Sequence, residues 1–246
     1  MAESIWADVL LKVSNVSAGY GKLQILDEVT VEAEPNKITV IVGPNGSGKS
    51  TLLKTIAGLT TIYKGVVWLG DRIISGLAPH EIARLGVAYL PQTESTFTHM
   101  TVNENFRMAG YTVASWAFEE RLARALALFP KLSSYLDTKV SSLSGGERQM
   151  VAMTMALLRE PNVLMFDEPT ANLAPIVATQ VLNTITYLSK RPKMTILLVE
   201  QNASRALQIG DRAYLLASGK TVFQGTTKEL LEHKELGRLY LGLGVS

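Results

Sequence analysis

The chain has 246 residues, 47% of them hydrophobic and 19% charged, which is enough apolar sequence for one sizeable buried core and excludes an intrinsically disordered chain. Its 24 Lys and Arg residues against 22 Asp and Glu residues leave a net charge of +2 without a basic run, so nucleic acid is not an expected partner. Cysteine is absent, which excludes disulfides and thiolate metal sites.

Apolar runs of strand length alternate with helical patterns along the chain. The runs at 38–42 and 163–166 are apolar throughout, which is typical of strands that helices cover on both faces of a parallel sheet. The alternation predicts a doubly wound α/β core. The predicted strands are 9–13, 38–42, 66–69, 87–90, 163–166, 195–199, 213–216 and 221–223. The predicted helices are 50–57, 118–129, 146–158, 176–188 and 203–209.

Two segments depart from this alternation. Residues 93–143 contain no convincing strand and are mostly helical in pattern, which predicts a helical lobe inserted into the core. Ser218 and Gly219 lie between the last two predicted strands and indicate a hairpin turn. We therefore expect a single domain, 1–246, with a core of about 1–92 and 151–246 and a helical subdomain of about 93–150.

A glycine-rich loop follows the strand at 38–42 and precedes a helical pattern, the context that a phosphate-binding P-loop requires. Its glycines allow consecutive backbone N–H groups to point at phosphate oxygens from a helix N-terminus. Lys49 is expected to reach the β- and γ-phosphates, and the Ser50 hydroxyl is expected to bind Mg²⁺. The predicted nucleotide-binding residues of this loop are Gly43, Pro44, Asn45, Gly46, Ser47, Gly48, Lys49, Ser50 and Thr51.

Two carboxylates, Asp167 and Glu168, follow the apolar strand at 163–166, at the sheet edge where the phosphate loop is expected. This is the Walker B pattern. Asp167 is predicted to orient Mg²⁺, and Glu168 to act as the general base on the attacking water. Paired acids after a strand also often cap the following helix, but the phosphate loop favours the catalytic interpretation.

A second glycine-rich helix start, with Ser144, Gly145 and Gly146, precedes the helical pattern at 146–158. Such a start can bind an anion. Because a nucleotide has one γ-phosphate, which the first loop already holds, the second site would serve a nucleotide on another subunit. The alternative is a Ser N-cap followed by two flexible glycines.

Taken together, these segments resemble the ATP-binding subunit of ABC transporters, from about residue 9 to residue 225. Residues 143–149 match the LSGGQ signature of that family, with Glu147 in place of the usual Gln. The resemblance implies a P-loop NTPase core with a mixed, mainly parallel sheet, an antiparallel β region and an inserted helical subdomain. It also implies an ATPase with ATP and Mg²⁺ as cofactors.

The resemblance assigns roles to residues outside the phosphate loop. In that family two domains pair head to tail, so Ser144, Gly145 and Gly146 of one would contact the ATP that Lys49 of the other holds. Tyr20 matches the aromatic residue that stacks on adenine. Gln92 matches the residue that binds Mg²⁺ and couples the site to the helical lobe, and residues 93–106 would form the docking surface for a transmembrane helix.

Two positions depart from the usual family pattern. Gln201 stands where a His normally contacts the γ-phosphate, and we expect it to contribute to catalysis as a hydrogen-bond donor that cannot exchange a proton near neutral pH. Ala174 stands where an Asp is usual. Both departures resemble the subfamily that imports branched-chain and other hydrophobic amino acids. The same scaffold also serves urea and other amides.

We therefore expect a transporter subunit at the cytoplasmic face of the membrane. Residues 1–4 lack the pattern of a secretory signal, and the longest uncharged stretch, 169–189, is too polar to span a membrane. The expected partners are a second ATP-binding subunit, identical or different, transmembrane permease subunits and an external substrate-binding protein. The alternatives are a soluble ABC-type ATPase and a regulator that binds nucleotide without hydrolysing it.

Overall fold

Eight of the ten strands in the described part of the chain overlap the predicted apolar runs, and five of these eight extend beyond them. The computed structural model describes residues 10–93, 95–192 and 194–240. Its strands are β1 (Leu11–Tyr20), β2 (Leu23–Ala33), β3 (Ile38–Val42), β4 (Thr61–Leu69), β5 (Arg72–Ile73), β6 (Val87–Leu90), β7 (Val163–Asp167), β8 (Thr195–Val199), β9 (Arg212–Ala217) and β10 (Lys220–Thr226).

The larger sheet has the strand order β10-β9-β3-β8-β7-β6 among the described residues. Neighbouring strands from β9 to β6 are parallel, and β10 pairs antiparallel with β9. Every residue of β3, β7 and β8 is buried, as their continuous apolar sequences predict. The carboxyl ends of these three strands carry the phosphate loop, Asp167 and the segment around Gln201, so the topology brings the predicted site residues to one edge.

The smaller sheet is antiparallel, with the order β2-β1-β4-β5. Side chains on opposite faces of β3 belong to different cores. Val40 and Val42 pack in the core that contains most of the helices, whereas Ile41 packs with Leu52, Leu53 and the buried face of the antiparallel sheet. The predicted fold class is confirmed.

The helices are placed by their caps and by their apolar faces. Thr101 and Glu104 form a capping box at the start of one helix, and Thr226 and Glu229 form another. The helices are α1 (Lys49–Ile56), α2 (Pro79–Arg84), α3 (Val102–Ala109), α4 (Ser115–Leu126), α5 (Gly145–Leu157), α6 (Pro175–Ser189), α7 (Ala203–Ile209), α8 (Thr227–Glu232) and α9 (Lys234–Tyr240). In the described part of the chain, none of them is long and apolar enough to cross a membrane.

All five predicted helices are present, and α5, α6 and α7 end within one residue of the predicted bounds. The predicted hairpin turn is confirmed, since Ser218 and Gly219 both have positive φ between β9 and β10. The predicted strand at 9–13 was too short, because β1 continues to Tyr20; Val9 lies outside the described residues. The strands β2 and β5 and the helices α2, α8 and α9 were not predicted, and α3 lies within the segment 93–143 that was predicted only as mostly helical.

Candidate nucleotide site

The phosphate loop connects β3 to α1, and its backbone follows a path that only glycine tolerates at two positions. Gly43 has φ 147°, and a Cβ there would lie 2.0 Å from the carbonyl oxygen of Leu216. Gly48 caps α1 with φ 102°, and a Cβ there would lie 2.7 Å from Leu26. Neither position has room for a side chain, so the loop requires glycine at both to reach the helix N-terminus along this path.

Lys49 lies buried at the first position of α1, with its ammonium group over the loop. Its Nζ donates hydrogen bonds of 2.9 Å to the carbonyl oxygens of Gly43 and Pro44. Burial lowers the pKa of Lys49, an effect that the carboxylates of Glu168 and Asp167 oppose. A buried cation at this point favours an anionic ligand.

The loop also contains a polar atom that a bound phosphate could satisfy. Ser47 is 3% exposed, and no partner within the described chain reaches its Oγ. Buried hydroxyl groups are normally hydrogen-bonded, so an unpaired one beside a ligand-binding loop fits a ligand that supplies the acceptor. The loop therefore suits a nucleotide phosphate.

Asp167, at the end of β7, is buried, and both of its carboxylate oxygens accept hydrogen bonds. Ser50 Oγ donates to Oδ1 at 2.8 Å, and Tyr89 Oη, from the neighbouring β6, donates to Oδ2 at 2.9 Å. The carboxylate is thus held in one orientation against the Ser50 hydroxyl. Burial, followed by the charge of Asp167, raises the pKa of Tyr89, so the tyrosine remains a hydrogen-bond donor.

Glu168 follows with φ 49°, a left-handed conformation that is uncommon for glutamate and turns its side chain away from the strand direction. Gln92 Nε2 donates a 2.8 Å hydrogen bond to Oε2 of Glu168. Burial raises the pKa of Glu168, while Lys49 lowers it and Asp167 raises it. The environment therefore favours a stronger base than an exposed glutamate, as a general base requires.

A cleft of about 460 Å³ lies beside the phosphate loop and the carboxyl end of β7. It brings together ten of the predicted site residues and one that was not predicted, Ile25. Gly43, Pro44, Ser47 and Asp167 belong to the same loop and strand end but do not line the cleft. The lining residues are Tyr20, Ile25, Asn45, Gly46, Gly48, Lys49, Ser50, Thr51, Gln92, Glu168 and Gln201.

The donor set beside the cleft suits Mg²⁺ held largely by phosphate oxygens. No cluster of three or more His, Asp or Glu side chains that could hold a metal occurs among the described residues. The Ser50 hydroxyl, the Asp167 carboxylate and the amide oxygen of Gln92 are hard oxygen donors, and Mg²⁺ bound with a nucleotide typically takes only one or two protein ligands of this kind. The residues present therefore fit the ion.

The second predicted anion site lies elsewhere, at the start of α5. Ser144 is the N-cap of this helix, and it and Gly145 are exposed, while Gly146 is buried. A Cβ on Gly146 would lie 2.4 Å from Val177 of α6, whereas one on Gly145 would meet Leu173 at an ordinary 3.5 Å. Gly146 therefore allows α5 and α6 to pack closely, and Ser144 and Gly145 face outward.

Comparison with known proteins agrees with this geometry. The ABC transporter family model matches residues 26–171. The probable branched-chain amino acid transport ATP-binding protein LivF of Archaeoglobus fulgidus is 50% identical over 234 residues, covering 95% of this chain and 99% of the relative. The chain belongs to the ABC transporter family. The predicted resemblance is confirmed, and so is the predicted enzyme class, an ATPase.

Two further members of the ABC transporter family support the same assignment. The high-affinity branched-chain amino acid transport ATP-binding protein BraG of Pseudomonas aeruginosa is 37% identical and covers 95% of this chain and 100% of the relative. A crystal structure of a nucleotide-free ATP-binding cassette from an ABC transporter superposes with a TM-score of 0.84 at 26% identity, covering 96% of this chain and 100% of that cassette.

The structure of this ABC ATPase also identifies residues that the sequence analysis missed. Tyr89 and Ile25 lie at the site because of strand pairing and hairpin packing, which no local motif signals. Glu200 is 3% exposed, and its Oε1 accepts a 3.0 Å hydrogen bond from the backbone N–H of Thr170. It thereby ties the loop after Asp167 to the segment that carries Gln201. Its acidic side chain directly after an apolar strand was the available signal.

Proposed function

We propose that this chain is the ATP-hydrolysing subunit of an ABC importer for branched-chain or other hydrophobic amino acids. The observation that carries the proposal is the convergence in one cleft of Lys49, of Ser50 bonded to Asp167, and of Glu168 bonded to Gln92. This set combines a cation for phosphate, oxygen ligands for a divalent metal and a base for water, which are the parts that phosphoryl transfer to water requires.

The proposed binding step uses both ends of the cleft. Tyr20 is 43% exposed at the end of β1, so its ring face is free to stack on adenine. The loop N–H groups and Lys49 would hold the phosphates. Ser50, Asp167 and Gln92 would hold Mg²⁺, which supplies charge neutralisation on the triphosphate when it is bound.

The proposed chemical step depends on Glu168. Its ionised carboxylate accepts the proton of the attacking water, and the Gln92 hydrogen bond orients the carboxylate for that task. Gln201 lines the same cleft and can donate a hydrogen bond to the γ-phosphate, but its amide neither accepts nor releases a proton near neutral pH. Glu168 is thus the group proposed to titrate with activity.

A second ATP-binding subunit completes the proposed site. Ser144 and Gly145 are exposed at the N-terminus of α5 and do not line the cleft of their own chain. Helix N-termini attract anions through their free N–H groups and the helix dipole. A head-to-tail pair would place this turn, with Gly146 behind it, against the γ-phosphate held by Lys49 of the other copy. The partner is the same chain or a different ATP-binding subunit.

A separate apolar groove is the proposed docking site for a helix of the transmembrane permease. Its volume is about 420 Å³, and it is lined from the core by Tyr89 and Pro91 and from the helical segment by Phe97, Met108 and Tyr111. Phe97, Met108 and Tyr111 are 49%, 45% and 78% exposed and line this one groove together, and a contiguous apolar patch on a surface is typical of an interaction site. Residues 93–150 would be the helical subdomain that moves with the permease.

The proposed docking groove includes part of the predicted docking segment, 93–106, and extends beyond it to Met108 and Tyr111. Val102 and Phe106 are fully buried in the core, so this face of α3 cannot contact a partner. Asn105 is buried as well, and its side chain donates to the carbonyl oxygens of Phe97 and Thr101 while accepting from the N–H of Phe97. These bonds hold Phe97 at the groove.

The proposed cargo is supported by the two relatives LivF and BraG, both of which are named as branched-chain amino acid transport ATP-binding proteins. The permease and an external substrate-binding protein would select that cargo, and this chain would lie at the cytoplasmic face of the membrane.

Purification of the tagged chain with its membrane subunits in lipid nanodiscs tests the assignment. We expect Mg²⁺-dependent phosphate release that rises with leucine-loaded binding protein and disappears in Lys49→Ala. Stimulation by urea and not by leucine would overturn the cargo, and absence of copurifying membrane proteins would overturn the transport role.

A further inference from the structure

The turn at the start of α5 already holds an anion from its own chain. The backbone N–H of Ser144 donates to Oε2 of Glu147 at 2.9 Å, and the Ser144 hydroxyl donates to the same oxygen at 2.8 Å. The hydroxyl also accepts from the Glu147 N–H at 3.3 Å. Ser144 belongs to the turn that the proposed function places against a phosphate, and both of its donors are therefore engaged by a carboxylate.

The other oxygen of this carboxylate is bonded to a lysine. Lys131 Nζ lies 2.7 Å from Oε1 of Glu147, and it also lies 5.6 Å from the centroid of the Tyr135 ring. Lys131 is 65% exposed, whereas the Glu147 side chain is only 15% exposed. The hydrogen bond from Lys131, followed by those from Ser144, lowers the pKa of Glu147 to about 2, so the carboxylate is ionised at physiological pH.

An ionised carboxylate beside Ser144 opposes the approach of a second anion. Like charges a few ångströms apart repel strongly in a partly desolvated interface, and an opposite charge in direct contact with one of them offsets that repulsion. Lys131 is the cation in direct contact with Glu147.

We propose that Lys131 is a positioning residue of the shared nucleotide site, which neutralises Glu147 so that Ser144 can transfer its hydroxyl hydrogen bond to the γ-phosphate of a facing subunit. This inference rests on the proposed function, since it requires a nucleotide held between two ATP-binding subunits. In this proposal Glu147 and Lys131 act together. The lysine is needed because the residue that follows Gly145 and Gly146 carries a carboxylate and not an amide.

A double-variant cycle tests the proposal in the full chain. Every protein in the cycle carries Glu168→Gln, which is expected to accumulate the ATP-bound pair. Analytical ultracentrifugation then measures how strongly the chain associates, in the presence of ATP and Mg²⁺, with the ATP-binding subunit that copurifies with it. Lys131→Met is expected to weaken this association roughly tenfold. With Glu147→Gln also present, Lys131→Met is expected to change nothing, because no charge remains to be neutralised.

The control is Lys228→Met, which removes a lysine from an exposed ion pair with Glu232 on α8. Thermal unfolding of each variant verifies that the fold is kept. If the background variant does not associate with ATP at all, the proposed function fails. If the background variant associates and Lys131→Met does not weaken that association, the role assigned to Lys131 is overturned. The role is also overturned if Lys131→Met weakens association to the same extent whether residue 147 is Glu or Gln.

Discussion

The two adjacent glycines at the start of α5 should respond oppositely to alanine. A Cβ on Gly146 would lie 2.4 Å from Val177 Cγ1, a distance at which one of the two helices or the valine rotamer must shift, whereas a Cβ on Gly145 would meet Leu173 at 3.5 Å. Overpacking of this kind costs about 1–3 kcal/mol. Replacing glycine by alanine in a helix regains at most about 1 kcal/mol.

The net expectation is that Gly146→Ala lowers the free energy of unfolding by about 1–2 kcal/mol and that Gly145→Ala leaves it unchanged or raises it slightly. For a chain of this size the loss corresponds to a fall in Tm of roughly 2–8 °C. Urea denaturation followed by circular dichroism measures the difference. Gly145→Ala is the matched control, since it adds the same methyl group one residue away.

Removing the obstructing valine supplies a second check. In a Val177→Ala background the methyl groups that Gly146→Ala would contact are gone, so the alanine is expected to cost little or nothing there. Equal stability of the Gly145→Ala and Gly146→Ala proteins would refute the packing argument. So would an undiminished cost of Gly146→Ala in the Val177→Ala background.

Three other side chains give further predictions. Tyr89→Phe removes the donor to Oδ2 of Asp167. Because hydrogen bonds to charged groups contribute about 1.5–3 kcal/mol, this variant should need a roughly tenfold higher Mg²⁺ concentration for half-maximal phosphate release. An unchanged Mg²⁺ titration would exclude this role of Tyr89. Tyr20→Ala should weaken ATP binding roughly tenfold in calorimetry while Tyr20→Phe should not, because stacking on a base contributes about 1–3 kcal/mol. Burial raises the pKa of Glu200, so the folded state binds the proton more tightly than the unfolded state does. The contribution of Glu200 to the free energy of unfolding therefore falls as the pH rises from the ordinary glutamate pKa through the raised pKa. Glu200→Gln keeps an acceptor for Thr170 and should remove that pH dependence from the unfolding free energy, and an identical pH profile in urea titrations would contradict the assignment.

Much of the parallel core could be predicted because its strands are apolar throughout. The missed strand β2 shows where this signal ends. Asp27 and Glu28 interrupt its alternation, and the pairing with β1 skips them: Val16 pairs with Val29 and Ala18 pairs with Leu26. Glu28 has φ 52°, and its N–H donates to Ser17 Oγ at 3.2 Å. A bulge set by the partner strand is invisible in the strand's own sequence.

The same distinction holds for the site. The phosphate loop, Asp167 and Glu168 are local motifs at the ends of apolar strands, so the sequence predicted that they converge. Tyr89 reaches Asp167 only because β6 and β7 pair in parallel with Tyr89 opposite Met165, and that register is a tertiary property. The start of helix α3 does carry a local signal in the sequence, the capping box of Thr101 and Glu104.

The contact between Lys131 and Glu147 joins residues that lie 16 positions apart. The signature segment alone indicated a Ser N-cap or an anion site, and the structure shows the N-cap, while the anion site stays a proposal. The partner of Ser144 in the capping box is Glu147, the residue by which this chain departs from the usual signature. The departure is visible in the sequence, whereas no local motif signals Lys131, the cation that accompanies it.

The central proposal is that one nucleotide is shared between two ATP-binding subunits, and complementation between two inactive variants of this chain tests it most directly. Lys49→Ala removes the phosphate-loop cation, and Ser144→Arg blocks the facing turn, so each homogeneous pair has two defective sites. A mixed pair has one site in which both elements are intact. We predict that the mixture recovers Mg²⁺-dependent phosphate release that neither variant shows alone. A mixture as inactive as its components, under conditions in which the wild-type chain alone hydrolyses ATP, would contradict the shared site.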